Sequence, residues 1–164
     1  MSTRKKGDEG EKFVADYLSQ LGFVTEIHPR TSRPVIGKNG KPIYHNGIPL
    51  RISSDNDYFN VFDLYGLRND YMIFVQVKVR TDGTKDNMSS AQKKIDLLYS
   101  YEFPYQKIQV WQLWKEWSRE GRKHKEFKIR IQERRGFSEK FWIADGVKIK
   151  KGIWIDIDPI ELKN

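Results

Sequence analysis

With 164 residues, 38% hydrophobic and 32% charged, and a mean hydropathy of −0.73, the chain is long enough to bury a core and predicts one water-soluble globular domain. Thirty Lys and Arg against 22 Asp and Glu leave a net charge of +8 and a pI near 9.5, which points to a polyanionic partner. The lack of cysteine excludes disulfides, thiol nucleophiles and thiolate metal sites. No apolar run reaches the length of a membrane span and Met1 to Lys6 show no signal-peptide pattern, so a cytoplasmic, membrane-free location is expected.

In chain order, residues 8–21 predict an amphipathic helix, with Phe13, Val14, Tyr17, Leu18 and Leu21 on one face and Gly22 as its stop. Asp8, Glu9 and Glu11 are placed near its start, where the helix dipole favours acids. Phe23–Ile27 reads as a first strand. Residues 28–57 carry two Asn-Gly turns, at 39–40 and 46–47, together with Pro34, Pro42 and Pro49, and predict a hairpin inserted at about 30–57. Tyr58–Tyr65 and Tyr71–Arg80 read as strands joined by a turn at 66–70. A second helix is expected over 89–101, capped by Ser89 or Ser90. Strands follow at 108–117, 126–132, 141–144 and 153–157, with a turn at 119–122. The order predicts an α+β (mixed α/β) single domain over 1–164, with a core at about 7–117 and a basic, β-rich C-terminal part at about 118–164. Residues 115–151 hold thirteen basic and six acidic side chains.

The pattern that carries chemistry is Asp63 followed by Gln76-Val77-Lys78. Residues two apart on a strand share a face, so Gln76 and Lys78 project together from a segment otherwise made of Ile, Phe and Val. A hairpin centred on Arg68 and Asn69 would pair position 63 with 74 and set Asp63 on that same face. A carboxylate, an amide oxygen and an ammonium side by side suit phosphodiester hydrolysis with a hard cation, while an ordinary Asp–Lys ion pair is the plainer alternative.

The ordered set resembles the PD-(D/E)XK, restriction-endonuclease-like nucleases, and within them the archaeal and phage Holliday junction resolvases. Gly7-Asp8-Glu9-Gly10-Glu11 is similar to the first-helix signature, and Leu18 to Phe23 to the end of that helix. Phe62-Asp63-Leu64 stands at the Pro-Asp position, Gln76-Val77-Lys78 at Glu-x-Lys, and Gln92 at a recurring helix glutamine. The likeness spans roughly residues 7–100. It implies a central mixed sheet flanked by helices and a Mg²⁺ (or Mn²⁺) site. Asp63 would be the central ligand, with Gln76, the Val77 carbonyl and Glu11 joining it and Lys78 as the catalytic lysine. It further implies branched DNA, such as a four-way junction, as the partner, and a homodimer that makes paired cuts.

Two departures qualify that expectation: Phe62 stands for the motif proline and Gln76 for the motif acid. Three functions remain open, namely a junction resolvase, another nicking or repair endonuclease of this fold, and a catalytically silent nucleic-acid-binding protein. Arg4, Lys5, Lys6, Arg30, Ser32, Arg33, Gln92, Arg119, Arg122, Lys123 and Lys125 are the candidate DNA contacts, with Lys128 and Arg130 beside them. Asp55 and Asp57 read as turn caps, and His28, His45 and His124 as scattered surface or loop residues. Trp111 and Leu113 are assigned to the core and Trp114 to the opposite side of its strand.

Overall fold

The apolar stripe on residues 8–21 belongs to a longer helix, α1 (Thr3–Gln20), in the computed structural model of the protein, which describes residues 3–28, 31–54, 57–69, 71–80, 88–117 and 124–163. The helix starts five residues before the periodic pattern does. Asp8, Glu9 and Glu11 therefore lie beyond its first turn, and no acid stabilises its N-terminus. Its end is as the sequence indicates. Gly22 takes φ +86°, the Gly22 N–H donates to the Ser19 carbonyl and the Phe23 N–H to that of Leu18, satisfying two carbonyls of the last turn.

The strands are β1 (Val24–Ile27), β2 (Thr31–Pro34), β3 (Tyr44–His45), β4 (Ile48–Pro49), β5 (Arg51–Ser54), β6 (Leu64–Arg68) and β7 (Tyr71–Arg80). After helix α2 (Ser89–Leu98) come β8 (Gln106–Trp117), β9 (His124–Ala144) and β10 (Val147–Ile157), and a 3₁₀ turn at Pro159–Lys163. Six of them form one sheet in the order β1-β6-β7-β8-β9-β10. Every neighbouring pair is antiparallel except β7 and β8, which are parallel and joined through α2. The fold is thus α+β, a mixed central sheet with a helix on each face.

The two faces bury different cores. α1 covers Leu64, Ile73, Val75, Val77, Trp111, Leu113 and Ile131 through Val14 and Leu18. α2 covers Val61, Phe62, Phe74, Ile108 and Val110 through Ala91 and Ile95, with Tyr99 completing an aromatic cluster. As the alternation requires, Trp111 and Leu113 are fully buried while Trp114 lies half-buried on the other face. The α2 face is pinned by a buried ion pair. Arg134 donates to Asp96 Oδ1 (3.4 Å) and to the carbonyls of Tyr99 (2.8 Å) and Tyr101 (2.6 Å). Asp96 Oδ2 in turn accepts from Trp142 Nε1 (3.0 Å) and the Gly152 N–H (2.8 Å). Burial pushes the Arg134 guanidinium down from its ordinary value, and the Asp96 carboxylate opposes that shift. A charge buried this deeply is tolerated only with so many partners.

Several boundaries differ from the sequence reading. Residues 58–62 are a tight turn, with Phe59 and Asn60 at φ +53° and +60° and a single bridge between Tyr58 and Phe62. The left-handed backbone at Phe59 is offset by its ring, which lies 5.4 Å from Phe74 and 5.1 Å from Tyr99. Gly66 stays within β6 and packs closely under Phe23, where a Cβ would lie 3.3 Å from Phe23 Cδ1. The turn moves instead to follow Arg68, which pairs with Tyr71, and Asn69 takes φ +41°. α2 stops at Leu98, and Met88 rather than Ser89 or Ser90 occupies its N-cap, with no side-chain cap bond. β9 is one continuous 21-residue strand where two were expected. Its first half pairs with β8 and its second with β10, so ladder hydrogen bonds replace the missing apolar alternation at 133–140. The connection is Asp145-Gly146, both at positive φ. The C-terminal part therefore extends the central sheet. The turn expected at 119–122 lies outside the described residues.

The insertion is present as expected. β2 pairs with β5 and β3 with β4, apart from the central sheet, and the 46–47 turn has both residues at positive φ. No helix among the described residues is long and apolar enough to cross a membrane.

Gly10 fixes how closely α1 approaches the sheet. A Cβ there would lie 2.2 Å from Val79 Cγ2 and 3.3 Å from Leu113 Cδ1. Gly10→Ala is predicted to lower stability by about 1–3 kcal/mol through overpacking, although Ala is the better helix former by about 1 kcal/mol. The urea midpoint checks this, and an unchanged or raised midpoint would show that α1 can lift at no cost.

Candidate functional site

Asp63 stands one residue before β6. Its N–H donates to the Val75 carbonyl (2.9 Å), although Val75 already pairs with Leu64, so Asp63 sits at an irregularity where the β6–β7 ladder ends. Phe74 pairs with Tyr65, in place of the expected Asp63. Gln76 and Lys78 project from one face of β7, and the Asp63 carboxylate reaches Gln76. On the other edge the Asp63 carbonyl accepts from the His28 N–H (2.9 Å), where the chain leaves β1 for the insertion.

Beyond this point β6 no longer pairs with β7, and the Asp63 side chain takes over. Its Oδ2 accepts from the Val77 N–H (2.6 Å) and from Gln76 Nε2 (2.5 Å). Asp63 and Gln76 are both buried, at 9% and 5% exposure, and this pair of donors compensates the buried carboxylate. The N–H and C=O of one strand residue point to the same side, so the Val77 carbonyl also faces Asp63. Gln76 Oε1 is buried and accepts no hydrogen bond from the described residues. Asp63, Gln76 Oε1 and the Val77 carbonyl are all hard oxygen donors, the chemistry that Mg²⁺ accepts, and together they carry one negative charge. Among the described residues, no group of three or more His, Asp or Glu side chains could hold a metal ion.

Lys78 is half-buried on the same face. The strand register sets it beside Gln112 of β8, and Gln112 beside Arg130 of β9. Gln112 Oε1 is likewise buried without a hydrogen-bond partner. One step along, Gln132 of β9 accepts from Gln92 Nε2 of α2 (2.5 Å). A polar row thus crosses three strands next to Asp63. Gln112 and Gln132 were missed as site residues because their signal, a glutamine between apolar neighbours, acquires meaning only once the registers of β8 and β9 are known.

Glu11 is buried at 6% on α1, which packs on the opposite face of the sheet. Its neighbour Gly10 rests on Val77 and Val79, so Glu11 sits at the same level along β7 as the site but approaches it from behind. Glu9 is exposed and ion-paired with Lys115. Asp57 pairs with Lys94 (3.4 Å) at the entrance to the 58–62 turn.

The candidate DNA contacts scatter. Arg4, Lys5 and Lys6 are in the first turns of α1, Ser32 and Arg33 on β2, and Lys125 on β9. Arg30, Arg119, Arg122 and Lys123 lie outside the described residues, as does Asp55. Gln92 is half-buried and turned inward to Gln132. Lys128 is exposed, and Arg130 is engaged bidentately with Asp156 at 2.8 and 3.0 Å. The His28 ring packs edge-on against Tyr58, and His45 is exposed on β3.

Where the insertion leaves the sheet, Tyr65 donates to Glu26 Oε2 (2.7 Å). That hydrogen bond is the largest cause that holds the Glu26 carboxyl below its ordinary value. Burial, followed by the nearby Glu26 carboxylate, pushes the Tyr58 hydroxyl up to about 12. Its hydrogen bond to Arg130 likewise holds Asp156 low. A carboxylate held low in the fold stabilises it fully above the unfolded-chain value and loses that contribution as pH falls through the folded value. Arg130 and Asp156 are 36% and 57% exposed, so the pair is screened and contributes at most about 1 kcal/mol. Urea midpoints of wild type and Arg130→Met should therefore differ at about pH 7 and converge as the pH falls below the ordinary carboxylate range. A constant difference across that range would show that Arg130 acts through packing.

Comparison of the chain with protein-family models, with curated proteins and with solved structures found no match in any of the three.

Proposed function

We propose that the protein is a Mg²⁺-dependent, structure-selective DNA endonuclease that hydrolyses phosphodiesters, with a Holliday junction resolvase as the leading case. One observation carries this reading. The Asp63 carboxylate, the Gln76 amide and the Val77 backbone meet at one point, with Lys78 on the same face of β7 as Gln76. These are the residues in which the sequence resembles restriction-endonuclease-like nucleases, and the basic chain suits a polyanionic substrate.

Asp63, the Val77 carbonyl and Gln76 Oε1 would hold the cation, and the buried, unpartnered Oε1 is the feature that fits it. When bound, Mg²⁺ supplies Lewis acidity to the phosphate and to an attacking water. The chain's own groups do the rest. Gln76 Nε2 and the Val77 N–H hold the Asp63 carboxylate in a fixed orientation. Lys78 carries an ammonium to the same face, where it would donate hydrogen bonds to phosphate oxygens as negative charge grows on them.

A second reading, a catalytically silent nucleic-acid-binding protein, is favoured by the same amide. Gln76 donates to Asp63 and so stabilises the carboxylate without a cation. Another nicking or repair endonuclease is the third. One experiment separates them. With Mg²⁺, wild type should make paired incisions confined to a four-way junction, and Asp63→Asn and Lys78→Ala should each lose about 100-fold or more in rate. Cutting of linear duplex or flaps would shift the assignment to a repair-type nuclease. Tight binding with no cutting, in Mg²⁺ or Mn²⁺, would establish the silent reading.

A thermal measurement reports on the cation independently of cutting. Gln76→Glu removes the donor to Asp63 and sets two carboxylates together, so it should cost about 1–3 kcal/mol in EDTA. Mg²⁺ or Mn²⁺ should recover part of that loss in the variant. Equal melting temperatures with EDTA and with metal would argue against a cation between positions 63 and 76.

A further inference from the structure

The insertion has a composition unlike the rest of the chain. Residues 27–54 contain no Asp or Glu, although the chain has 22, and they hold five cations: Arg30, Arg33, Lys38, Lys41 and Arg51. They also expose apolar side chains. Ile36, Ile43, Tyr44, Ile48 and Leu50 are 53%, 41%, 59%, 70% and 43% exposed, and every residue from Lys38 to Ile48 is exposed. Two small ladders, neither part of the central sheet, would be marginal alone. They are held together by backbone bonds from Val35 to the Leu50 carbonyl, Ile43 to that of Val35 and Leu50 to that of Ile43, each 2.8 Å. The result is a defined ribbon with cations, apolar points and no acid.

The ribbon is rooted at the candidate site. It leaves β1 at His28, whose N–H donates to the Asp63 carbonyl, and it returns through Asp57 and the 58–62 turn that leads into Asp63. We propose that residues 31–54 form an arm that grips duplex DNA beside the site. Lys38 and Lys41 contact phosphates, while Tyr44 and Ile48, which flank the 46–47 turn, wedge against bases where stacking is already broken at a branch. A two-stranded ribbon fits the major groove, about 12 Å wide, and apolar side chains inserted at unstacked steps are an established way for proteins to hold distorted duplexes. A second copy of the chain fits less well, because an acid-free ribbon meeting a protein of net charge +8 gains nothing electrostatically. The arm deepens the nuclease reading by naming the substrate class it would hold, and it rests on that reading.

The test uses the full chain in EDTA, so that binding is read without cutting, with a fluorescent four-way junction and a linear duplex of equal length. Lys38→Glu/Lys41→Glu should weaken binding to both by about tenfold or more and flatten the log affinity against log salt plot by about 2. Tyr44→Ser/Ile48→Ser should leave the salt slope unchanged and weaken junction binding by about tenfold, with a smaller effect on duplex. All four side chains are exposed, so unchanged melting temperatures verify the fold. Wild-type binding by both double variants overturns the arm. So does a shift from dimer to monomer in sedimentation with DNA affinity intact, which would assign the apolar points to a second copy. If wild type binds no DNA, the arm and the nuclease reading fall together. If it binds in this pattern but never cuts, the arm stands and only the nuclease reading fails.

Discussion

The β6–β7 ladder ends at Asp63, and the next donor on that side, the Val77 N–H, would be left buried without a strand partner. The Asp63 carboxylate receives it in the way a backbone carbonyl would, and takes a second hydrogen bond from Gln76. An unmet buried N–H and an unsolvated carboxylate are each costly; together they cancel. Much of the molecule follows from this exchange. It lets β7 run on past β6 to Arg80, carrying Lys78 beyond the end of its former neighbour. It also leaves the Asp63 carbonyl free to hold His28, from which the insertion departs.

The two faces of the sheet answer different demands around that point. On the α1 face the contacts are apolar throughout the core cluster, and Gly10 brings the helix close enough that Glu11 reaches a buried position behind β7. On the α2 face an aromatic cluster around Phe62, Phe74 and Tyr99 gives way to the polar row of Gln76, Lys78, Gln112 and Arg130. The Arg134–Asp96 pair anchors α2 to β9 and β10, which holds the far side of that row in place. Polar groups buried between rigid strands are preorganised at no cost to be met later, which is the condition that binding or catalysis needs.

The character of the site depends on one amide. Two acids at 63 and 76 would repel in the absence of a cation and would need one to stay ionised together. With glutamine at 76, Nε2 neutralises that tension and the pocket is complete with Asp63 charged, while Oε1 remains an acceptor with nothing to accept. The buried carboxylate is thus compensated without a cation, and the cation of the proposed function would be met by Oε1. This is the physical basis on which a hydrolytic and a purely binding role differ for otherwise identical side chains.

Much was legible from residues alone. Helix α1 and its glycine stop, the hairpin insertion with its Asn-Gly turns, the long β7 and the shared face of Gln76 and Lys78 all follow from short-range periodicity and turn chemistry, which depend on neighbours a few positions away. The α+β class followed from their order. The reach of the Asp63 carboxylate to the Val77 N–H, the retention of Gly66 in β6 and the single 21-residue β9 did not, because each is set by contacts between distant segments: β6 against β7, Phe23 over Gly66, and β10 along β9. Gln112 and Gln132 gained their place only when the crossover through α2 aligned β8 with β7 and β9 with β8. Local chemistry therefore determined which side chains could act, and the long-range pairing of strands decided which of them meet. A hydrogen bond between strands depends on a register that no stretch of either strand encodes by itself.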